Sequence, residues 1–149
     1  MCGVLGVCGQ DDISRELIHG LTAIQHRGQD AAGVVTLDGN FGMKKGLGLV
    51  SQVFEEDDCQ RLTANCGLGH VRYATIGSND VLDAQPIAVN YPFGMAMVHN
   101  GNVVNFVELR RSLYEEHHRL LDTSNDVALI LYTFASELET KNLKSLSVD

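Results

Sequence analysis

The period at which apolar residues recur changes repeatedly along this chain, and that alternation limits the fold more than any other feature. Val4, Leu5 and Val7, set among glycines, read as a short buried strand at the start. From Ile13 the spacing lengthens to three and four, through Leu17, Ile18, Leu21 and Ile24. That rhythm predicts an amphipathic helix with Asp12 at its cap and an end near Gly28. Gly33 to Leu37 and Phe41 to Lys45 read as two strands joined at Asp38-Gly39, a pair that supplies the positive φ of a hairpin turn. Leu68 to Tyr73 and Met95 to His99 are two further predicted strands, each entering a polar or glycine-containing loop. Helical spacing returns at Phe106, Leu109 and Leu113, behind an Asn105-x-x-Glu108 capping box. It returns again at Val127, Ile130, Leu131, Phe134 and Leu138, with Thr123 or Ser124 as cap. Lys141 to Asp149 carries a possible strand start. The order strand, helix, strands, helices implies an α+β fold, a mainly antiparallel sheet with helices packed on it.

Size and charge narrow the function classes. With 149 residues the chain matches one ordinary soluble domain, able to bury roughly 68–70% of its unfolded surface without disulfides or a structural metal. No run approaches the ~18 apolar residues of a membrane helix, and no positive segment precedes the apolar start, so neither a span nor a leader is expected and the cytoplasm is the expected location. A net charge of −8 and arginines interspersed with glutamates argue against nucleic acid as a partner. Cys2 and Cys8 have five intervening residues, Cys59 and Cys66 six; neither interval is a zinc-ligand spacing, so no metal site is indicated. In a reducing compartment thiols stay free, and Cys8, Cys59 and Cys66 are expected to be small buried hydrophobes.

Cys2 differs by position. Removal of Met1 exposes a residue with both a thiol and a free α-amine, whose pKa of about 7.7–8.0 leaves enough neutral amine to take the thiol proton. One residue would then serve as nucleophile and base. After an apolar strand, Asn100-Gly101 can aim a side-chain amide and a backbone N–H at one oxygen, the arrangement that stabilises an acyl-transfer oxyanion. The same pair is also a common turn. Arg72, at the end of another apolar strand, can grip a carboxylate in bidentate fashion or form a surface ion pair. Asp126, in the first turn of the last helix, complements the helix dipole or faces an ammonium.

Several segments carry a resemblance. Met1 to Val7, Leu21 to Gly33, Gly46 to Phe54, Gly69 to Thr75, Ala84 to Ile87 and Val98 to Asn102 resemble, in the family's order, the amidophosphoribosyltransferases, also called glutamine phosphoribosylpyrophosphate amidotransferases. Gln25-His-Arg-Gly-Gln-Asp30 is the most discriminating block; the related glucosamine-6-phosphate synthase domain is expected to carry Tyr-Arg-Gly-Tyr-Asp there. The resemblance implies a four-layer αββα sandwich of the N-terminal-nucleophile hydrolase type that strips ammonia from glutamine for phosphoribosylamine synthesis in purine biosynthesis. It implies Cys2 as nucleophile, Asn100 and the N–H of Gly101 as oxyanion donors, Arg72 on the glutamine α-carboxylate and Asp126 on its α-ammonium. Arg27, Gly28, Tyr73 and Thr75 would line or support the pocket.

The same resemblance sets expectations for the whole molecule. Residues 1–149 would form a class II glutaminase domain incomplete at its C-terminal end, with the phosphoribosyltransferase domain absent. Mg2+ is expected only with that absent domain, no cofactor is expected in this segment, and the longer protein is expected to be a homo-oligomer. Three readings compete: a glutaminase of this or another class II amidotransferase, a catalytically silent binding module, and a Cys-His hydrolase using His70 or His99 as base.

Overall fold

The structure, a computed structural model, describes residues 1–74 and 80–141. Four antiparallel strands form the main sheet: β1 (Gly3–Cys8), β2 (Ala31–Asp38), β3 (Asn40–Leu47) and β4 (Cys66–Arg72), in the order β1-β4-β2-β3. The predicted hairpin is present, turning at Gly39 with φ 68°. Helix α1 (Ser14–Ala23) covers one face, and a 3-10 turn at Gln25–Arg27 carries the chain to Gly28, where the pattern predicted an end. Asp12 secures the start of α1, accepting hydrogen bonds from the backbone N–H and hydroxyl of Ser14 and from Ala64 N.

Alternation sorts the sheet's two faces. Gly3, Leu5, Val7, Ala32, Val34, Gly67, Gly69 and Val71 point toward α1, as the cross-strand register requires. The glycines let the helix approach: a Cβ on Gly67 would lie 2.8 Å from Leu17, and one on Gly69 2.9 Å from Leu21. Leu17 and Leu21 are fully buried there, in a core completed by short helices α2 (Val50–Val53) and α3 (Asp58–Arg61) and their flanks Phe54 and Leu62.

On the opposite face the segment 83–86 crosses the sheet and leads into a two-stranded antiparallel sheet, β5 (Ile87–Val89) with β6 (Met95–Met97). The crossing is close. A Cβ on Gly33 would meet Gln85 O at 2.2 Å, and Lys45 Nζ donates to Ala84 O at 2.6 Å and Pro86 O at 3.3 Å. Helices α4 (Phe106–His117) and α5 (Asp126–Thr140) close the far side around a second apolar cluster with Ile87, Val89, Leu113, Val127 and Leu131. The layers therefore run α1, four-stranded sheet, two-stranded sheet, α4 with α5. This is the αββα order expected.

Local expectations fail in four places. The capping box at Asn105 does not form: its backbone, at φ −103° and ψ 33°, leaves the side chain without a cap hydrogen bond. Helix α5 is capped by Asn125, whose Oδ1 accepts from Val127 N at 3.1 Å, because the Thr123 and Ser124 hydroxyls are engaged by Asp83. Along α5, Phe134 is half exposed, while Ala128, Leu129, Ala135 and Ser136 are buried instead. Cys8 and Cys66 are not free buried thiols; they face each other across the β1–β4 ladder with Cα atoms 4.2 Å apart and form a disulfide, and Cys8 is exposed. Most of the possible strand after Lys141 lies outside the described residues. Among the described residues, no helix is long and apolar enough to cross a membrane.

Candidate active site

Cys2 sits immediately before β1, where three distant segments meet it. Its Sγ accepts from Tyr73 N at 3.4 Å and lies 3.8 Å from Tyr73 O, just beyond β4. Its carbonyl oxygen accepts two hydrogen bonds of 3.1 Å, one from Arg27 Nε and one from Asn100 Nδ2. Cys2, Arg27, Tyr73 and Asn100 are thus gathered within hydrogen-bonding reach of one residue. None of the thiol's hydrogen bonds among the described residues involves a histidine.

A cavity of about 590 Å³ opens beside the thiol, and Cys2, Arg72, Tyr73, Gly101 and Asp126 contribute to its wall. Arg72 is buried at 8% exposure; its NH2 lies 3.8 Å from Asp83 Oδ2, and its NH1 has no hydrogen-bond partner among the described residues. A buried guanidinium nitrogen without an acceptor is costly, and an incoming carboxylate would satisfy it. Across the cavity Asp126 opens α5. Its Oδ2 accepts from Val103 N at 3.1 Å and lies 3.7 Å from His99 Nε2. A second depression, of about 290 Å³ beside α4, is lined by Arg110, Arg111 and Arg119, with no cysteine among the described residues of its wall.

Gly28 stands behind the cavity rather than in its wall. A Cβ there would come within 2.5 Å of the Arg72 carbonyl carbon and 2.6 Å of Val71 O, so only glycine lets the 3-10 turn lie against the end of β4. Thr75 lies outside the described residues. The sequence reading missed Gln85, which joins both ends of the cavity. Its Oε1 accepts from His99 N at 2.7 Å and its Nε2 donates to Asn125 Oδ1 at 3.4 Å. The signal available was a glutamine inside an otherwise apolar stretch leading to β5.

His70, one turn of the pleat below Arg72, is buried, with Nε2 unpartnered. Burial pushes its pKa down to about 4; the Arg72 and His99 charges act in the same direction, while the His99 carbonyl opposes them. The imidazole is therefore neutral at pH 7. It fills space behind the cavity and accompanies Arg72 without competing for an anion.

Comparisons with known proteins give the chain's family. A family model described as a glutamine amidotransferase domain matches residues 56–146, more than half of the chain. This chain belongs to that family. The amidophosphoribosyltransferase of Escherichia coli is 46% identical over 100% of the chain, and that of Schizosaccharomyces pombe is 45% identical over 93%. The chain spans only 30% and 27% of those two proteins. Among solved structures, the glutamine phosphoribosylpyrophosphate amidotransferase of Bacillus subtilis, complexed with ADP and GMP, superposes with a TM-score of 0.79 at 29% identity. It is matched over 99% of this chain and 30% of its own. A structure described as the allosteric regulatory enzyme of purine biosynthesis gives 0.82, also at 29% identity. The glutamine amidotransferase domain accordingly has the N-terminal-nucleophile hydrolase fold expected from its sequence.

Proposed function

We propose that this glutamine amidotransferase domain hydrolyses the side-chain amide of glutamine through Cys2. Removal of Met1, which is 79% exposed, frees the α-amine beside the thiol. The amine takes the thiol proton, and the sulfur attacks the amide carbon to give a tetrahedral oxyanion. Asn100 and the N–H of Gly101 stabilise that charge. An amide nitrogen carries two hydrogens, so Asn100 Nδ2 can hold the Cys2 carbonyl with one and offer the other to the oxyanion. Collapse expels ammonia with the proton that the amine had taken. Water, deprotonated by the same amine, then cleaves the thioester to release glutamate and restore the thiol. Arg72 holds the α-carboxylate and Asp126 the α-ammonium, while Arg27 and Tyr73 fix the Cys2 backbone and sulfur, and Gly28 keeps β4 in place. The ammonia passes to phosphoribosylpyrophosphate in the manner named for the longer relatives, on a phosphoribosyltransferase domain that this chain does not span.

The observation that supports this reading is one cavity containing a thiol beside the chain start, an unpartnered buried guanidinium nitrogen and a carboxylate. Intact-mass measurement after incubation with a diazoketone analogue of glutamine tests it. One adduct on Cys2 is expected, and none in Cys2→Ala or in protein that retains Met1. Glutamate release should vanish in both variants, whereas undiminished release from either overturns the mechanism. A silent binding module would gain no adduct, and a Cys-His hydrolase would survive blocking of the α-amine.

A further inference from the structure

Asp83 occupies a position that the glutaminase chemistry does not use directly. It is 2% exposed, and a carboxylate so deeply buried requires partners. Its partners come from both substrate-contacting elements. Oδ1 accepts from the Thr123 hydroxyl, from Ser124 N at 3.2 Å and from the Ser124 hydroxyl at 3.4 Å; Oδ2 accepts from that hydroxyl at 3.3 Å and lies 3.8 Å from Arg72 NH2. The Asp83 backbone oxygen accepts from Asn125 Nδ2 at 2.5 Å. Asn125 caps α5, and Asp126 is the residue that follows. One buried residue therefore connects the end of β4, which carries the guanidinium, to the turn that aims the opposing carboxylate.

We infer that Asp83 is a positioning residue for the amino-acid head of glutamine: it sets the separation and mutual orientation of Arg72 and Asp126. The long contact to Arg72 suits this role. At 3.8 Å the carboxylate biases the guanidinium without saturating it, so NH1 stays free for an incoming carboxylate. A purely structural knot would contribute equally to every reaction of Cys2. A positioning residue affects only ligands that carry an α-amino acid head.

The inference rests on the glutaminase reading, and two electrophiles separate them when applied to the intact protein. The diazoketone analogue of glutamine has the amino-acid head; iodoacetamide lacks it. In Asp83→Asn, which keeps the shape and loses the charge, labelling of Cys2 by the analogue should slow by about tenfold, and KM for glutamine should rise by a similar factor with kcat nearly unchanged. Iodoacetamide labelling should stay within about twofold, since its reaction needs only the thiolate. Thr123→Val removes the hydroxyl from the same carboxylate and should shift analogue labelling in the same direction by a smaller factor; it decides the matter if Asp83→Asn fails to fold. Unchanged analogue labelling in the folded variants, or an equal slowing with both electrophiles, overturns the inference alone. Unmutated protein that takes iodoacetamide and refuses the analogue overturns both readings.

Discussion

The two faces of the four-stranded sheet solve different problems with the same strands. Toward α1 the alternating residues are apolar or glycine, and Leu17 and Leu21 pack directly onto them. On the other side β4 presents Cys66, Leu68, His70 and Arg72, and around its C-terminal end, His70 and Arg72, lie Asp83, Gln85 and Thr123, all buried and polar. Burial on the first face is non-directional and depends on close packing rather than on the aim of any one group. At that end the second face trades apolar contact for polar ones: hydrogen bonds hold Asp126 and Asn100, and the Asp83 carboxylate stands 3.8 Å from the Arg72 guanidinium. The comparison teaches that stability and positioning are carried by opposite sides of one sheet, so variants should separate them.

The largest effect is expected on the helix side. Leu21→Ala should lower unfolding free energy by about 2–5 kcal/mol in urea titrations, while folded protein labels with the glutamine analogue at the original rate. A parallel loss of labelling would break the division between the faces. His70 comes next. Its folded pKa of about 4 lies below the ordinary 6.5, so below pH 6.5 the unfolded chain takes a proton that the folded chain refuses. Stability should therefore fall as pH drops from 6.5 to 4, by roughly 3 kcal/mol from this group. Melting temperatures recorded across that window should flatten in His70→Gln, and an unaltered slope would remove the imidazole from the account.

A smaller change is expected at Asn125, the cap of α5. Asn125→Ala should cost about 0.5–2 kcal/mol and raise KM for glutamine, because it loosens α5 beside Asp126. Loss of stability with KM unchanged would confine Asn125 to the helix. The smallest effect serves as a control: Arg111 and Glu115 are 3.9 Å apart and largely exposed, so Arg111→Ala should move chemical-denaturation midpoints by no more than about 0.5 kcal/mol and leave KM untouched.

The helix side was largely legible in the residues. Ile13, Leu17 and Leu21 recur at the helical period, Asp38-Gly39 marks its turn, and each behaves as its local chemistry dictates. Arg72, Asp126 and the Asn100 corner were candidates by residue type at strand and helix ends, but their meeting near Cys2 was implied only by the family resemblance. The polar layer joining Asp83 to the turn before α5 was not legible. Asp83 meets Thr123 forty residues later, a distance at which periodicity and propensity carry no information. The same remoteness hid the Cys8 and Cys66 pairing, set by ladder register across 58 residues. Asn105 failed as a cap because a capping motif specifies hydrogen-bonding capacity, whereas the incoming backbone angle decides whether it is used.

The residue after Met1 is clamped through its carbonyl oxygen. Asn100 already grips the carbonyl of Cys2 while Met1 is still attached, and Arg27 grips it from the other side. The Cys2 carbonyl is thus held from two sides with Met1 in place. On the proposed mechanism, removal of Met1, itself exposed, would uncover the amine without disturbing either hydrogen bond.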